Sequence, residues 1–229
     1  MMTERFFCVV LPCDGDFCYI CISLEKGMGY WMKRIGVWCL RWRHSRGFGV
    51  QSPWAYRMLR YVINEHYPYY AYEELQRLYG GEGRRRLKLG RLYLRIANAV
   101  QPQVVVDYGS SSHIYRDFVR AGCRRSRVLR ITGGHDRDAF ARTLYDIYSI
   151  DMLRLSFVKG WRELLEVAMQ KTTPRSVFVF EGIYDSRETR LFWQQFVRDE
   201  RVGITFDLYY CGIAFFDRSM VKQHYMVNF

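Results

Sequence analysis

No apolar run in this chain approaches the roughly 20 residues that a bilayer-crossing helix needs. Phe6 to Leu11 comes nearest, and Asp14 and Asp16 break the apolar character soon after it. The cationic, apolar, small-residue order of a secretion signal is missing as well, so a cytoplasmic protein is expected. Metal-ligand spacing is scarce. Cys18 and Cys21 have the C-x-x-C spacing, but no second such pair exists, which argues against a structural zinc site. Cys39, Cys123 and Cys211 stand far apart and read as reduced, mostly buried thiols. There is no P-loop, no HExxH and no Ser-His-Asp order. Without an internal repeat or a low-complexity tract, solenoid and disordered architectures have no support.

What is present is a large supply of core. Hydrophobic residues make up 49% of the 229 and aromatics 17%, enough for one sizeable α/β domain or a domain with a smaller attachment. The formal charge is +12. Arginines gather at Arg41, Arg43 and Arg46, at Arg84 to Arg86 with Arg91 and Arg95, and at Arg124, Arg125, Arg127 and Arg130. Such a surface suits nucleic acid, anionic lipid or an acidic partner. With no nucleic-acid motif beside the charge, a solvated basic face is the plainer reading. Charge alone speaks for nucleic acid, nothing speaks for a membrane, and the oligomeric state is not legible.

The chain divides into three regions. Residues 1–27 form a cysteine-rich extension without clear periodicity, and Met28 and Met32 are plausible internal starts, so this extension need not be native. Residues 28–100 read as helical. Ser52-Pro53 is a hydroxyl N-cap with proline in the first turn, and Ala55, Met58, Leu59 and Val62 recur at helical spacing behind it. A last helix carries Leu87, Leu92, Leu94, Ile96 and Val100, with its arginines expected to face water. From residue 101 to 229 strand, turn and helix alternate. Strands are expected at Val104–Tyr108, Val128–Thr132, Met152–Val158 and Ser176–Phe180, and strand-like segments at Gly203–Tyr210, Gly212–Phe216 and Tyr225–Phe229. That rhythm predicts a Rossmann-like, three-layer αβα sandwich, mostly parallel, with an antiparallel C-terminal edge.

The segment Val104-Val105-Val106-Asp107-Tyr108-Gly109-Ser110-Ser111-Ser112 carries most information. Three β-branched residues run into an acid, a glycine and hydroxyl residues, as a buried parallel strand does when its end admits a ligand. Asp107 could orient a ligand or cap the next helix. Ser110 to Ser112 could bind a carboxylate or serve as turn and cap residues. Tyr69, Tyr70 and Tyr72 could form a lid, although a packing seam is the plainer role. His44, His113 and His135 show no partner acid.

Three blocks resemble the class I S-adenosylmethionine-dependent methyltransferases, and a bacterial O-methyltransferase-like branch in particular: His44 to Tyr56 with Tyr69 to Leu75, the Asp107-x-Gly109 strand end, and Ser176 to Ser186 with Ile204 to Phe216. The resemblance implies a seven-stranded sheet with a reversed strand and S-adenosyl-L-methionine over the ends of the first two strands. It implies Asp107, Gly109, Ser110, Ser111 and Thr132 at the cofactor, and Glu181, Tyr184 and Asp185 at the acceptor, an oxygen or nitrogen of a small molecule. The chain departs from that pattern. Thr132 stands where an acid normally receives the ribose hydroxyls, and His113 stands where a further glycine is usual and would crowd the cofactor. A strand between those at 152 and 176 is missing, and Glu181-Gly182 replaces paired acids that could hold a metal. A degenerate methyltransferase is therefore expected, or a non-catalytic relative with a basic binding surface.

Overall fold

In a computed structural model, the strands that the valine and phenylalanine runs dictate build one seven-stranded sheet. The structure describes residues 7–13, 16–22, 36, 39, 41, 50–110, 112–132 and 137–229. Residues up to 49 form a unit of their own, in which β1 (Phe7–Cys13) and β2 (Asp16–Ile22) pair as an antiparallel hairpin. The expected absence of periodicity there thus hid a hairpin, signalled by the Asp14-Gly15 dipeptide between the strands.

The second unit begins at Val50. Its first helix, α1 (Pro53–Met58), starts as expected, with Ser52 Oγ accepting from Ala55 N–H. A π-helical turn (Leu59–Ile63) continues it, and α2 (Tyr72–Tyr79) and α3 (Arg84–Val100) come next. One expectation fails on α3. Arg95 is buried, not solvated, and donates to the Val62 (2.6 Å) and Ile63 (2.9 Å) carbonyls. It satisfies the carbonyl end of the π turn, beyond which the chain leaves the helix.

Strand and helix then alternate: β3 (Val104–Tyr108), α4 (Ile114–Gly122), β4 (Arg127–Ile131), α5 (Arg137–Thr143), β5 (Met152–Ser156), α6 (Trp161–Met169), β6 (Val177–Glu181) and α7 (Arg187–Arg198). β7 (Ile204–Asp207), β8 (Cys211–Phe215) and β9 (Gln223–Met226) close the chain. The sheet order is β4-β3-β5-β6-β8-β7-β9. β8 is antiparallel to both neighbours, and β9 runs parallel to β7. The C-terminal edge therefore carries the reversed strand, two places in from the margin. Between β5 and β6 the chain forms α6 and the two strands pair directly. But β5 lies beside β3 in the place of a fourth strand. The strand lacking from a doubly wound order therefore falls outside β4, before β5, and not between the strands at 152 and 176 as expected.

Alternation along the strands sends side chains to two cores. Val105, Met152, Val177 and Val179 meet the helices α1 to α4, while Val106, Leu153, Leu155, Phe178 and Phe180 meet α5 to α7. That is the three-layer sandwich. Tyr69 and Tyr72 pack together (5.3 Å between ring centroids) against the first core, which is the seam reading.

α3 and α4 approach closely because Gly122 has no side chain to hold them apart. A Cβ on Gly122 would be driven into the Leu94 carbonyl oxygen, which is backbone and cannot yield. Gly122→Ala is therefore expected to cost about 1–3 kcal/mol, the usual range for overpacking, read as a lower urea midpoint at unchanged slope. A shift below about 0.5 kcal/mol would show that the two helices part at little cost.

Candidate functional site

From β3 the chain steps outward to β4 and then returns to β5 on the other side of β3. The strand order thus reverses between β3 and β5, and open α/β sheets leave a crevice at such a point, beyond the carboxyl ends of the strands. A cleft of about 470 Å³ opens there. Its wall comes from the loop after β3 (Gly109, Ser110, Ser112), the ends of β5 and β6 (Arg154, Ser156, Glu181), the start of α3 (Arg85, Arg86) and Asp185.

Gly109 has φ +78°, and a Cβ there would lie 2.8 Å from Val158 Cγ2, so only glycine suits both the turn and the approach of the neighbouring loop. Gly109 N–H donates to the Ile131 carbonyl (2.9 Å), and Ser110 Oγ donates to the Ser112 carbonyl (2.8 Å). These serines therefore shape the loop, which is the turn role foreseen for them.

Beneath the loop lies an ionic cluster that no local sequence pattern announced. Asp107 on β3 and Arg154 on β5 are register partners, so both side chains leave the same face, and Glu181 ends β6 two residues beyond the partner of Arg154. Arg154 Nη1 donates to Asp107 Oδ1 (2.9 Å) and to the Tyr108 carbonyl (3.1 Å). Nε and Nη2 grip the two Glu181 oxygens at 3.0 and 2.6 Å, and Nη2 also reaches Ser156 Oγ (2.7 Å). The guanidinium carbon sits 4.3 Å from the centre of the Tyr115 ring, and Tyr93 O–H donates to Glu181 Oε1 (2.5 Å). Side-chain exposure is 6% for Arg154, 3% for Asp107 and 12% for Glu181.

Such burial is tolerable because every donor of the guanidinium is used. The two acids fare differently. Asp107 keeps Oδ2 buried without a hydrogen-bond partner, and burial pushes its carboxyl above the usual range, an effect that Arg154 only partly offsets. Arg154 itself is held well above its ordinary value by Glu181 first and Asp107 second, against the opposing effect of burial.

The residues expected at the site separate into those at the cleft and those away from it. Gly109, Ser110, Glu181 and Asp185 line the cleft. Asp107 lies outside the lining, bound to Arg154, and Ser111 falls outside the described residues. Thr132 is exposed and does not line the cleft. Tyr184 donates to Asp207 Oδ2 (2.7 Å) and stacks on Tyr209, again off the cleft. Asp185 pairs with Arg85 (3.3 Å), so Glu181 and Asp185 each face an arginine. His113 does not crowd the cleft: it is exposed and meets Arg130 instead, because it opens α4 on the β4 side. His44 and His135 fall outside the described residues. One signal for the cluster was available, since an arginine between Leu153 and Leu155 in a buried parallel strand needs partners.

No family model and no curated protein matches the chain. Among solved structures, it is similar to a methyltransferase from Geobacter sulfurreducens (17% identity, 67% of this chain and 92% of that one, TM-score 0.47). It is also similar to the O-methyltransferase TomG from Streptomyces achromogenes, in complex with S-adenosylmethionine (12%, 66% and 91%, TM-score 0.45). A third is the O-methyltransferase from Bacillus cereus in complex with S-adenosylhomocysteine (13%, 70% and 94%, TM-score 0.41). The sheet order and the reversed β8 make this chain, on its own topology, a Rossmann-like three-layer fold.

Proposed function

We propose that this is a methyltransferase-like protein whose cleft takes S-adenosylmethionine or its demethylated product, and whose capacity for methyl transfer has degenerated. The observation that carries the reading is the cleft at the point where the strand order reverses, walled by the Gly109 turn. The residues fit the ligand at one end. A cleft of about 470 Å³ lies in the range of small-molecule sites, and the Gly109 turn brings backbone up to it. At the β4 end the fit is poorer, because Thr132 offers a hydroxyl in place of an acid.

When bound, S-adenosylmethionine supplies an electrophilic methyl group. The protein must then align an oxygen or nitrogen acceptor and remove one proton. Glu181 is ill suited to that task, since both its oxygens already accept from Arg154 and one also accepts from Tyr93. Asp185 is exposed at the rim and tied only to Arg85 in an exposed pair, which is worth little and can be given up. This supports binding more strongly than catalysis, and a non-catalytic role for the fold agrees with it.

Calorimetric titration of the purified chain with S-adenosylmethionine and S-adenosylhomocysteine tests the reading. Dissociation constants on the order of micromolar are expected. No heat at millimolar concentrations of either ligand would remove it.

A further inference from the structure

We propose that the end of the sheet opposite the cleft is a docking surface for single-stranded nucleic acid. The inference is independent of the cleft, and it gives part of the +12 charge a place and a partner.

β3 to β6 are mutually parallel, so their amino ends emerge together, at the far end from the cleft. Backbone contacts stitch the loops there into one row. Ser126 N–H closes a turn on the Cys123 carbonyl (3.2 Å), which leaves Arg124 and Arg125 exposed at its tip. Arg127, exposed at the start of β4, donates its N–H to the Gln103 carbonyl (2.7 Å). Gln103 N–H donates in turn to Asp151 Oδ2 (2.8 Å). The Asp151 carbonyl accepts from Val177 N–H (2.8 Å), two residues past the exposed Arg175. Four arginines thus mark the two ends of a row that crosses four neighbouring strands.

Among the described residues none of the four stands in an ion pair. The acids of these loops are Asp146 and Asp151, and Asp151 Oδ2 is already held by the Gln103 and Val104 N–H groups. The surface is therefore cationic on balance. Two tyrosines accompany it. Tyr148, in the loop before β5, is 95% exposed. Tyr70 is 75% exposed, and its O–H donates to the Ala121 carbonyl (3.2 Å), which fixes it beside the Arg124 turn.

A ring left in water adds nothing to the core, but it offers a flat face on which an unpaired base can stack. The cations are arginines, whose planar forks match pairs of phosphate oxygens. Bases in a duplex already stack on one another and present no face, so a single strand is the better occupant. An anionic membrane would call for aliphatic side chains to insert. Leu144, Ile147 and Ile150 of the Tyr148 loop are buried, which leaves none there to do so.

Fluorescence anisotropy of the full chain with a labelled oligouridylate of about twelve nucleotides tests the surface, alone or annealed to oligoadenylate. Phosphatidylserine vesicles serve as the competing anion. The single strand is expected to bind with a dissociation constant on the order of micromolar at low salt, about fivefold or more tighter than the duplex. Each phosphate neutralised on a single strand steepens the dependence of log K on log salt by about 0.7. Arg124→Gln together with Arg125→Gln should therefore flatten that slope by about 1.4. Tyr70→Ala should weaken binding about fivefold or more at an unchanged slope, as the loss of one stacked base would. All three positions are exposed, so the fold survives these changes. Binding of S-adenosylhomocysteine should not respond to any of them, so the cleft and this surface stand or fall separately. The proposal is overturned if the oligonucleotide does not bind at low salt, or if the paired arginine substitutions leave the slope as it was. Equal affinity for the duplex, a neutral Tyr70→Ala, or displacement of the strand by vesicles would overturn it as well, leaving a general anion surface.

Discussion

Arg154→Leu is expected to destabilise the fold by about 3–5 kcal/mol, the usual cost of removing one partner from a buried ionic cluster. For a chain of this length that is a fall of roughly 6–20 °C in Tm. The loss exceeds that of an ordinary polar contact because two carboxylates stay behind. Asp107 and Glu181 would then be buried with no cation between them, and Asp107 Oδ2 already lacks a partner. Like charges in a desolvated site force at least one acid to take up a proton. The penalty should therefore shrink on acidification, toward the usual carboxylate range near pH 4, as measured by urea denaturation at several pH values.

A second variant separates charge from packing. Replacing all three ions together, Asp107→Leu with Arg154→Met and Glu181→Leu, removes the stranded charges and refills the space with apolar groups. Such exchanges are often neutral or stabilising, so this variant should recover most of the loss. If the single substitution costs under about 1 kcal/mol, the cluster is wetter than its burial implies. If the triple variant is no better than the single one, the guanidinium matters through its stacking on Tyr115, and the charge argument fails.

The cluster also marks how far a sequence can be read. Periodicity placed the strands, because a parallel sheet is buried on both faces and its strands become continuous apolar runs. β3, β5 and β6 fall where the apolar runs put them. The Gly109 turn was legible for the same local reason: a strand end with an acid, a glycine and hydroxyls has few other uses. What escaped was everything set by sheet order. Asp107 and Arg154 are 47 residues apart and Arg154 and Glu181 are 27, so no local pattern joins them. The pairing of β5 directly with both β3 and β6 brings them together. His113 and Arg95 failed for a related reason. Sequence alone gives a helix face only within its own helix, not the neighbour that claims it. Arg95 was spoken for by the carbonyls of the π turn, and His113 by Arg130 on an adjacent strand.

Gly109→Val should abolish nucleoside binding, with at least about a hundredfold loss by calorimetry, while most of the fold survives. Two separate costs act on the loop. A β-branched residue at φ +78° is strained by roughly 1–3 kcal/mol wherever it stands. The added side chain also meets Val158 Cγ2 from 2.8 Å and Ser156 Cβ from 3.2 Å, so the β3 and β5 loops must part. Both loops line the cleft, and parting them by even an ångström changes the shape that a ligand meets. A double-mutant cycle distinguishes the costs. Val158→Ala, combined with Gly109→Ala, should relieve the clash and restore part of the binding, but not the dihedral strain, so recovery should be incomplete. Full recovery would show that the turn tolerates an L side chain and that crowding was the whole effect. No recovery would show that the glycine is required for its backbone conformation alone, and that the approach of Val158 has no part in shaping the cleft.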